Sequence, residues 1–165
     1  MSALEKLAKE LGVALKARGF VLALAESCTG GMVAQAVTSV AGSSAWFDRG
    51  FVTYSNAAKI DLLGVSAETL EKFGAVSERI AAEMALGCLK ASANKHSQAY
   101  IAGSITGIAG PDGGTADKPV GTVCFAWAET NKQLLTVTKH FEGNREQIRQ
   151  QAAAFLMQQF IEQLN

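Results

Sequence analysis

Nothing constrains the fold of this 165-residue chain more than the stretch Ala23-Leu24-Ala25-Glu26-Ser27-Cys28-Thr29-Gly30-Gly31. The apolar run Val21 to Ala25 predicts a short buried strand. It stops at Glu26, passes through hydroxyls and a thiol to two glycines, and re-enters a helical pattern at Met32-Val33-Ala34-Gln35-Ala36-Val37. A strand feeding a helix through Ser-Cys-Thr-Gly-Gly leaves backbone N–H groups unpaired at the helix start. Such an end stabilises negative charge on a phosphate, a carboxylate or a developing oxyanion. Ser27 sits at the lip of that turn, where a nucleophile would stand. The same residues also suit a plain structural role, with Ser27 or Thr29 as N-cap and the glycines permitting a tight turn.

Composition narrows the partners. With 48% hydrophobic and 18% charged residues the chain is globular, and its length suffices for a full core. Fifteen basic residues balance fifteen acidic ones, so no net field recruits nucleic acid or anionic membrane. Residues 1–18 carry Glu5, Lys6, Lys9, Glu10, Lys16 and Arg18 along an amphipathic helix, unlike a signal peptide. No apolar run approaches the roughly 18 residues of a membrane span. The cytoplasm is the expected compartment. Cys28, Cys88 and Cys124 are widely spaced and form no metal-ligand pair, and Cys88 and Cys124 read as small core residues. His96 and His140 make no metal site by themselves.

Read in order, Leu4, Leu7, Ala8, Leu11, Ala14 and Leu15 recur at helical spacing over residues 3–18, and Gly19 ends that helix. The helix after the central turn runs to about Val40, and Ser43 or Ser44 is placed to cap a short turn through Trp46 and Phe47. Residues 50–55 read as a second strand. Ser55 or Asn56 then caps a helix holding Ala57, Lys59 and Leu63, closed by Gly64. Ser66 with Thr69 opens a short helix ending near Gly74, and a long helix follows Ser77. Residues 98–104 read as a third strand, and 105–119 as a long loop. Five of the sixteen glycines fall between Gly107 and Gly121, with both prolines among them. A loop of that length is usually functional, and glycines let backbone amides approach a ligand closely. It matches neither the Walker A nor the dinucleotide fingerprint. Val120 to Glu129 alternates Val123, Phe125 and Trp127 as a strand, Asn131 marks a hairpin turn, and 134–141 return. The final helix buries Ile148, Ala152, Phe155, Leu156 and Ile161. It carries Arg145 and Arg149 on one face near its start, a pair suited to an anionic group or simply solvated.

This order predicts an α/β class fold over residues 1–165, a three-layer α/β/α sandwich with a mixed, mostly parallel sheet. Sites in such sheets lie beyond the carboxyl ends of strands, so the loops starting at Glu26, Tyr54 and Gly103 converge on one pocket. A serine nucleophile there needs a base, and neither histidine adjoins a motif. Lys59, desolvated in a cleft, is a base with the pKa that burial confers. It is also an odd residue for a helix's first turn, which favours acids. Tyr54 would relay a proton or orient the leaving group, and the amides from Cys28 to Gly31 would form an oxyanion hole. That constellation is a Ser-Lys amidohydrolase requiring no metal or other cofactor. Cys28, at the same helix start, is the rival nucleophile.

Several motifs recur together here: Ala25-Glu26-Ser27-Cys28-Thr29-Gly30-Gly31, Val52-Thr53-Tyr54-Ser55-Asn56 with Lys59, Gly74-Ala75-Val76-Ser77-Glu78, and Gly107-Ile108-Ala109-Gly110-Pro111-Asp112-Gly113-Gly114 with Lys118-Pro119-Val120-Gly121-Thr122. In this order they resemble the CinA C-terminal domain family over nearly the whole chain. The resemblance implies hydrolysis of the carboxamide of nicotinamide mononucleotide to nicotinate mononucleotide and ammonia, in pyridine-nucleotide recycling. It implies a fold like anticodon-binding domains and homo-oligomers. It places the family's serine, tyrosine and lysine on Ser27, Tyr54 and Lys59. Glu26, Cys28, Thr29, Gly30, Gly31, Thr106, Gly107, Gly110, Gly113 and Arg145 are then the expected substrate contacts, with Arg145 and the glycine-rich loop on the ribose phosphate. The pyrophosphatase activity of longer CinA proteins, which carry an additional N-terminal domain, is expected to be absent. Two departures stand out: Asn144 in Gly143-Asn144-Arg145 replaces an expected aspartate, and Ala57 an expected acid. A non-catalytic nucleotide-binding or regulatory domain keeping the pocket is the alternative.

Overall fold

A computed structural model describes residues 1–93, 98–130 and 132–165. Its elements in order are α1 (Ala3–Arg18), β1 (Phe20–Glu26), α2 (Met32–Thr38), β2 (Phe47–Val52), α3 (Asn56–Leu63), α4 (Ala67–Phe73), α5 (Glu78–Ala93), β3 (Ala99–Gly107), β4 (Thr122–Glu129), β5 (Leu135–His140) and α6 (Arg145–Leu164). The five strands form one sheet in the order β2-β1-β3-β4-β5. β2, β1 and β3 run parallel, and β4 and β5 are antiparallel additions. This is the expected mixed three-layer architecture. His96 and the Asn131 turn lie outside the described residues. Among the described residues no helix is long and apolar enough to cross a membrane.

Strand alternation divides the core into two unequal faces. Leu22 and Leu24 of β1, Ile101 and Ile105 of β3, and Val123, Phe125 and Trp127 of β4 all face α1, α2 and α6. The opposite face presents Ala23, Ala25 and Ala102, with Cys124, Ala126 and Ala128, to α5 and its neighbours. Small side chains on this second face bring α5 close against the sheet. That approach carries the α4–α5 connection, Gly74 to Ser77, to the carboxyl ends of β1 and β3. On the first face Phe155 of α6 packs on Phe125, with ring centroids 4.9 Å apart.

Several boundaries moved, each for a hydrogen-bonding reason. β3 extends to Gly107 because Ile105, Thr106 and Gly107 pair with Phe125, Cys124 and Val123. The loop therefore begins at Ile108, and the third strand end lies beyond Gly103. β2 covers 47–52 rather than 50–55. Thr53 N still bonds Glu26 O, but the Thr53 and Tyr54 carbonyls turn inward to a side chain. α2 stops at Thr38, where the Thr38 and Ser39 hydroxyls donate back to the Ala34 and Gln35 carbonyls. The short 3-10 turn Ser43–Ala45 is entered from Gly42, with no hydroxyl cap from Ser43 or Ser44. β4 starts at Thr122, two residues late, as its hydroxyl closes onto Pro119 O. The caps at Ser55, Gly64 and Ser66 are as the sequence predicts.

Candidate active site

The carboxyl ends of β1, β2 and β3 enclose a cavity of about 270 Å³. Of the expected site residues, Ser27, Cys28, Tyr54, Lys59, Thr106, Gly107, Gly110, Gly113 and Arg145 line it. Glu26, Thr29, Gly30 and Gly31 do not. Asn56, Ala75, Val76, Ile108, Ala109 and Asp112 complete the wall. None of these six is among the expected site residues, although all six stand within the recurring motifs. Ala75 and Val76 arrive through the α4–α5 connection, where the Thr106 hydroxyl donates to Ala75 O at 2.8 Å. Lys118 Nζ ties the glycine-rich loop to Phe73 O at 2.7 Å.

Ser27 is the first residue beyond β1, and its amide still joins the sheet through Ile105 O. The turn that follows is closed by Gly30 N onto Ser27 O, and α2 is entered through Gly31 at φ 97° without a side-chain cap. Neither Ser27 nor Thr29 caps α2. That task falls to Glu26, whose buried carboxylate accepts from the Val33 and Ala34 amides, both at 3.0 Å, and from the Thr29 hydroxyl at 2.7 Å. Two helix-start amides, those of Val33 and Ala34, are therefore taken by Glu26, and of the amides expected in the oxyanion hole that of Gly30 is taken by Ser27 O. The role of an anion at this helix end is filled from within the chain.

Lys59 reaches the site because Ser55 caps α3 one turn earlier, pointing position 59 inward. Its side chain is only 1% exposed. Nζ lies 3.1 Å from Ser27 Oγ, 3.0 Å from Thr53 O and 3.2 Å from Tyr54 O. None of the three contacts is a carboxylate. Burial therefore lowers its pKa below the ordinary 10.5. A neutral amine has two N–H groups and one lone pair. The two main-chain carbonyls can only accept, so the lone pair is left for the Ser27 hydroxyl.

The two arginines on α6, alike in sequence, serve different ends. Arg145 spans the mouth of the cavity, with Nη1 on Gly110 O at 2.6 Å and Nη2 on the Tyr54 hydroxyl at 3.0 Å. Arg149 turns to the Ser27 loop, its Nε donating to Cys28 O at 3.0 Å and Nη2 to Thr29 O at 3.1 Å. The expected paired anion site is thus divided, and only Arg145 faces the cavity. Asn144, in place of the expected aspartate, caps α6 through Gln147 N. Either residue is a good N-cap, so the exchange leaves Arg145 in place. The backbone of the glycine-rich loop is tightly laid. At Gly110, with φ +80°, an added Cβ would meet Val120 Cγ1 at 2.4 Å. At Gly107 it would press on Val123 and come within 3.1 Å of Cys28 Sγ.

Cys28 is a poor rival nucleophile. Burial pushes its thiol up to about 12, against the lowering influence of Arg149. A helix start lowers a thiol pKa only where its amides are free and the sulfur is accessible. Here both conditions fail. Cys28→Ala is expected to keep kcat within about tenfold of the parent, and iodoacetamide at neutral pH to leave Cys28 unlabelled, because the thiolate is scarce. Rapid alkylation accompanied by loss of activity would contradict this.

A serine in contact with a buried lysine, beyond the carboxyl ends of the three parallel strands of a mixed sheet, gives this α/β/α domain the groups that acyl chemistry needs. The chain matches the CinA C-terminal domain over residues 4–164 and belongs to that family. It is 58% identical over 155 residues to the nicotinamide-nucleotide amidohydrolase PncC of Enterobacter agglomerans, covering 94% of this chain and 92% of the relative. It is 52% identical over 162 residues to the protein of the same name from Escherichia coli K12, covering 98% and 95%. The crystal structure of the CinA superfamily protein KP700603 from Klebsiella pneumoniae superposes with a TM-score of 0.91 at 40% identity, covering 99% of this chain and 98% of that one.

Proposed function

We propose that this protein is an amidohydrolase that converts nicotinamide mononucleotide to nicotinate mononucleotide and ammonia. The observation that carries the chemistry is the Lys59–Ser27 contact, 3.1 Å long, with main-chain carbonyls as the only other partners of Nζ among the described residues. The names of the two relatives support the substrate.

In this reading neutral Lys59 takes the Ser27 proton as Oγ bonds to the carboxamide carbon. The carbonyl electron pair moves onto oxygen, giving a tetrahedral oxyanion that nearby main-chain amides stabilise. Collapse breaks the C–N bond, and the nitrogen leaves as ammonia with the proton held by Lys59. Water then attacks the acyl-serine with Lys59 again as base, releasing the carboxylate and restoring Ser27. The positive pyridinium ring withdraws electrons from the carboxamide and eases the attack. Tyr54 and Arg145, joined at the cavity mouth, hold the far end of the substrate, with Arg145 on the phosphate. Such a phosphorylated nucleotide is retained inside cells, which places the reaction in the cytoplasm.

Ammonia release from nicotinamide mononucleotide by the purified protein tests the reading. Release with equimolar nicotinate mononucleotide is the expected result, and nucleotide binding without release would overturn it. Arg145→Ala is expected to raise KM about 10-fold or more while lowering kcat less, since a guanidinium–phosphate pair contributes mainly to binding. Steady-state kinetics with the nucleotide, set beside nicotinamide riboside, which lacks the phosphate, would check this. The riboside should show little response to the substitution.

A further inference from the structure

Arg149 is not needed by the proposed chemistry, yet it reaches 121 and 120 positions back along the chain to hold two successive carbonyls. A trans peptide is planar, so each carbonyl points opposite to the N–H of the next residue. With Cys28 O on Arg149, the Thr29 N–H is turned away from the guanidinium. With Thr29 O on Arg149, the Gly30 N–H is turned likewise, and it closes onto Ser27 O at 3.0 Å. Cys28 is nearly buried and Thr29 wholly so, at 6% and 0% exposed. Glu26 anchors the other side of the same turn through the Thr29 hydroxyl.

We propose that Arg149 is a positioning residue. By holding the Cys28 and Thr29 carbonyls, it fixes the two peptide planes of the turn that Gly30 N closes onto Ser27 O, and so keeps Ser27 Oγ in place against Lys59 Nζ. The inference rests on the reading of Ser27 as nucleophile. It differs from the pairing with Arg145 that the spacing of the two residues suggests, since Arg149 touches the turn and not the cavity.

The test compares Arg149→Ala and Arg149→Lys with the parent by two readouts. Turnover of nicotinamide mononucleotide is the first. A displacement of about 1 Å at a reacting group can cost about 10²-fold, and a loosened Ser27 turn should cost Arg149→Ala about that much in kcat, with KM within about threefold. Millimolar guanidinium should restore part of the loss, and Arg149→Lys, with one donor in place of two, should fall between. The second readout is phosphonylation of Ser27 by a small alkyl fluorophosphonate. Oγ bonds to phosphorus, fluoride leaves, Lys59 takes the proton, and the phosphoryl oxygen occupies the oxyanion position. Its rate should fall in parallel.

A folded Arg149→Ala or Arg149→Lys with parental kcat and phosphonylation rate would overturn the proposal, as would a loss confined to KM. Should Arg149→Ala fail to fold, Arg149→Lys carries the comparison. Parent protein that releases no ammonia but is phosphonylated would sink the substrate reading alone, and the labelling rates would still decide the role of Arg149. Parent protein that resists labelling at Ser27 would sink both.

Discussion

Ser27→Ala is expected to lower kcat for nicotinamide mononucleotide by about 10⁴-fold or more, the scale seen when a nucleophile is removed from a unit that works together. Binding and folding should survive. Among the described residues the Ser27 hydroxyl has one side-chain partner, Lys59 Nζ, and no role in capping α2, which Glu26 serves. Neutral Lys59 keeps both of its N–H groups on the Thr53 and Tyr54 carbonyls after the substitution. The stability change should therefore stay within about 1 kcal/mol, the net value of one hydrogen bond. Ammonia release, calorimetric titration with the nucleotide and urea denaturation on the same preparation check all three. Near-parental turnover would remove Ser27 as the nucleophile.

Lys59→Met should abolish turnover to a similar degree while testing the charge state of the lysine separately. Methionine keeps much of the buried aliphatic volume but leaves the Thr53 and Tyr54 carbonyls without donors, a cost of about 1–3 kcal/mol. Against that stands the removal of an amine whose charged form is penalised by burial. The sign of the pH dependence follows. The folded pKa of Lys59 lies below 10.5, and the unfolded chain titrates near 10.5. Between those two values the unfolded state binds more protons, so parental stability rises with pH across that window. Lys59→Met should lack this rise. In the parent, kcat/KM should climb with pH through the lowered Lys59 pKa and level off above it, because only the neutral amine accepts the serine proton. Urea midpoints for both proteins at neutral and alkaline pH, with the kcat/KM profile of the parent, would show it. A Lys59→Met protein with the same stability slope would point to another titrating group.

Local signals carried far in this chain. The alternation of Val123, Phe125 and Trp127 identified the buried face of β4 because strand periodicity is a property of neighbours two residues apart. Ser55 and Gly64 bounded α3, and with that helix in place Lys59 follows one turn from the cap. The order of the motifs along the chain marks the family without reference to the fold. Glu26 was harder to read. Taken alone it is an acid beside a serine, and its use as the cap of α2 depends on the path the backbone follows through Gly30 and Gly31.

By itself, then, the sequence determined which elements form, in what order, and which serine, tyrosine and lysine stand at the strand ends. Capping, periodicity and glycine placement act over a few residues and are legible there. The tertiary structure alone decided how far β3 runs, since its last three residues form a strand only against β4. It alone buried Lys59 against the Thr53 and Tyr54 carbonyls, and that burial lowers its pKa. It also separated Arg145 from Arg149: one guanidinium meets the cavity and the other the Ser27 turn, because their acceptors come from segments 35 to 121 residues away. No pattern within four residues of α6 encodes that choice. It is made by the packing of α6 against the sheet.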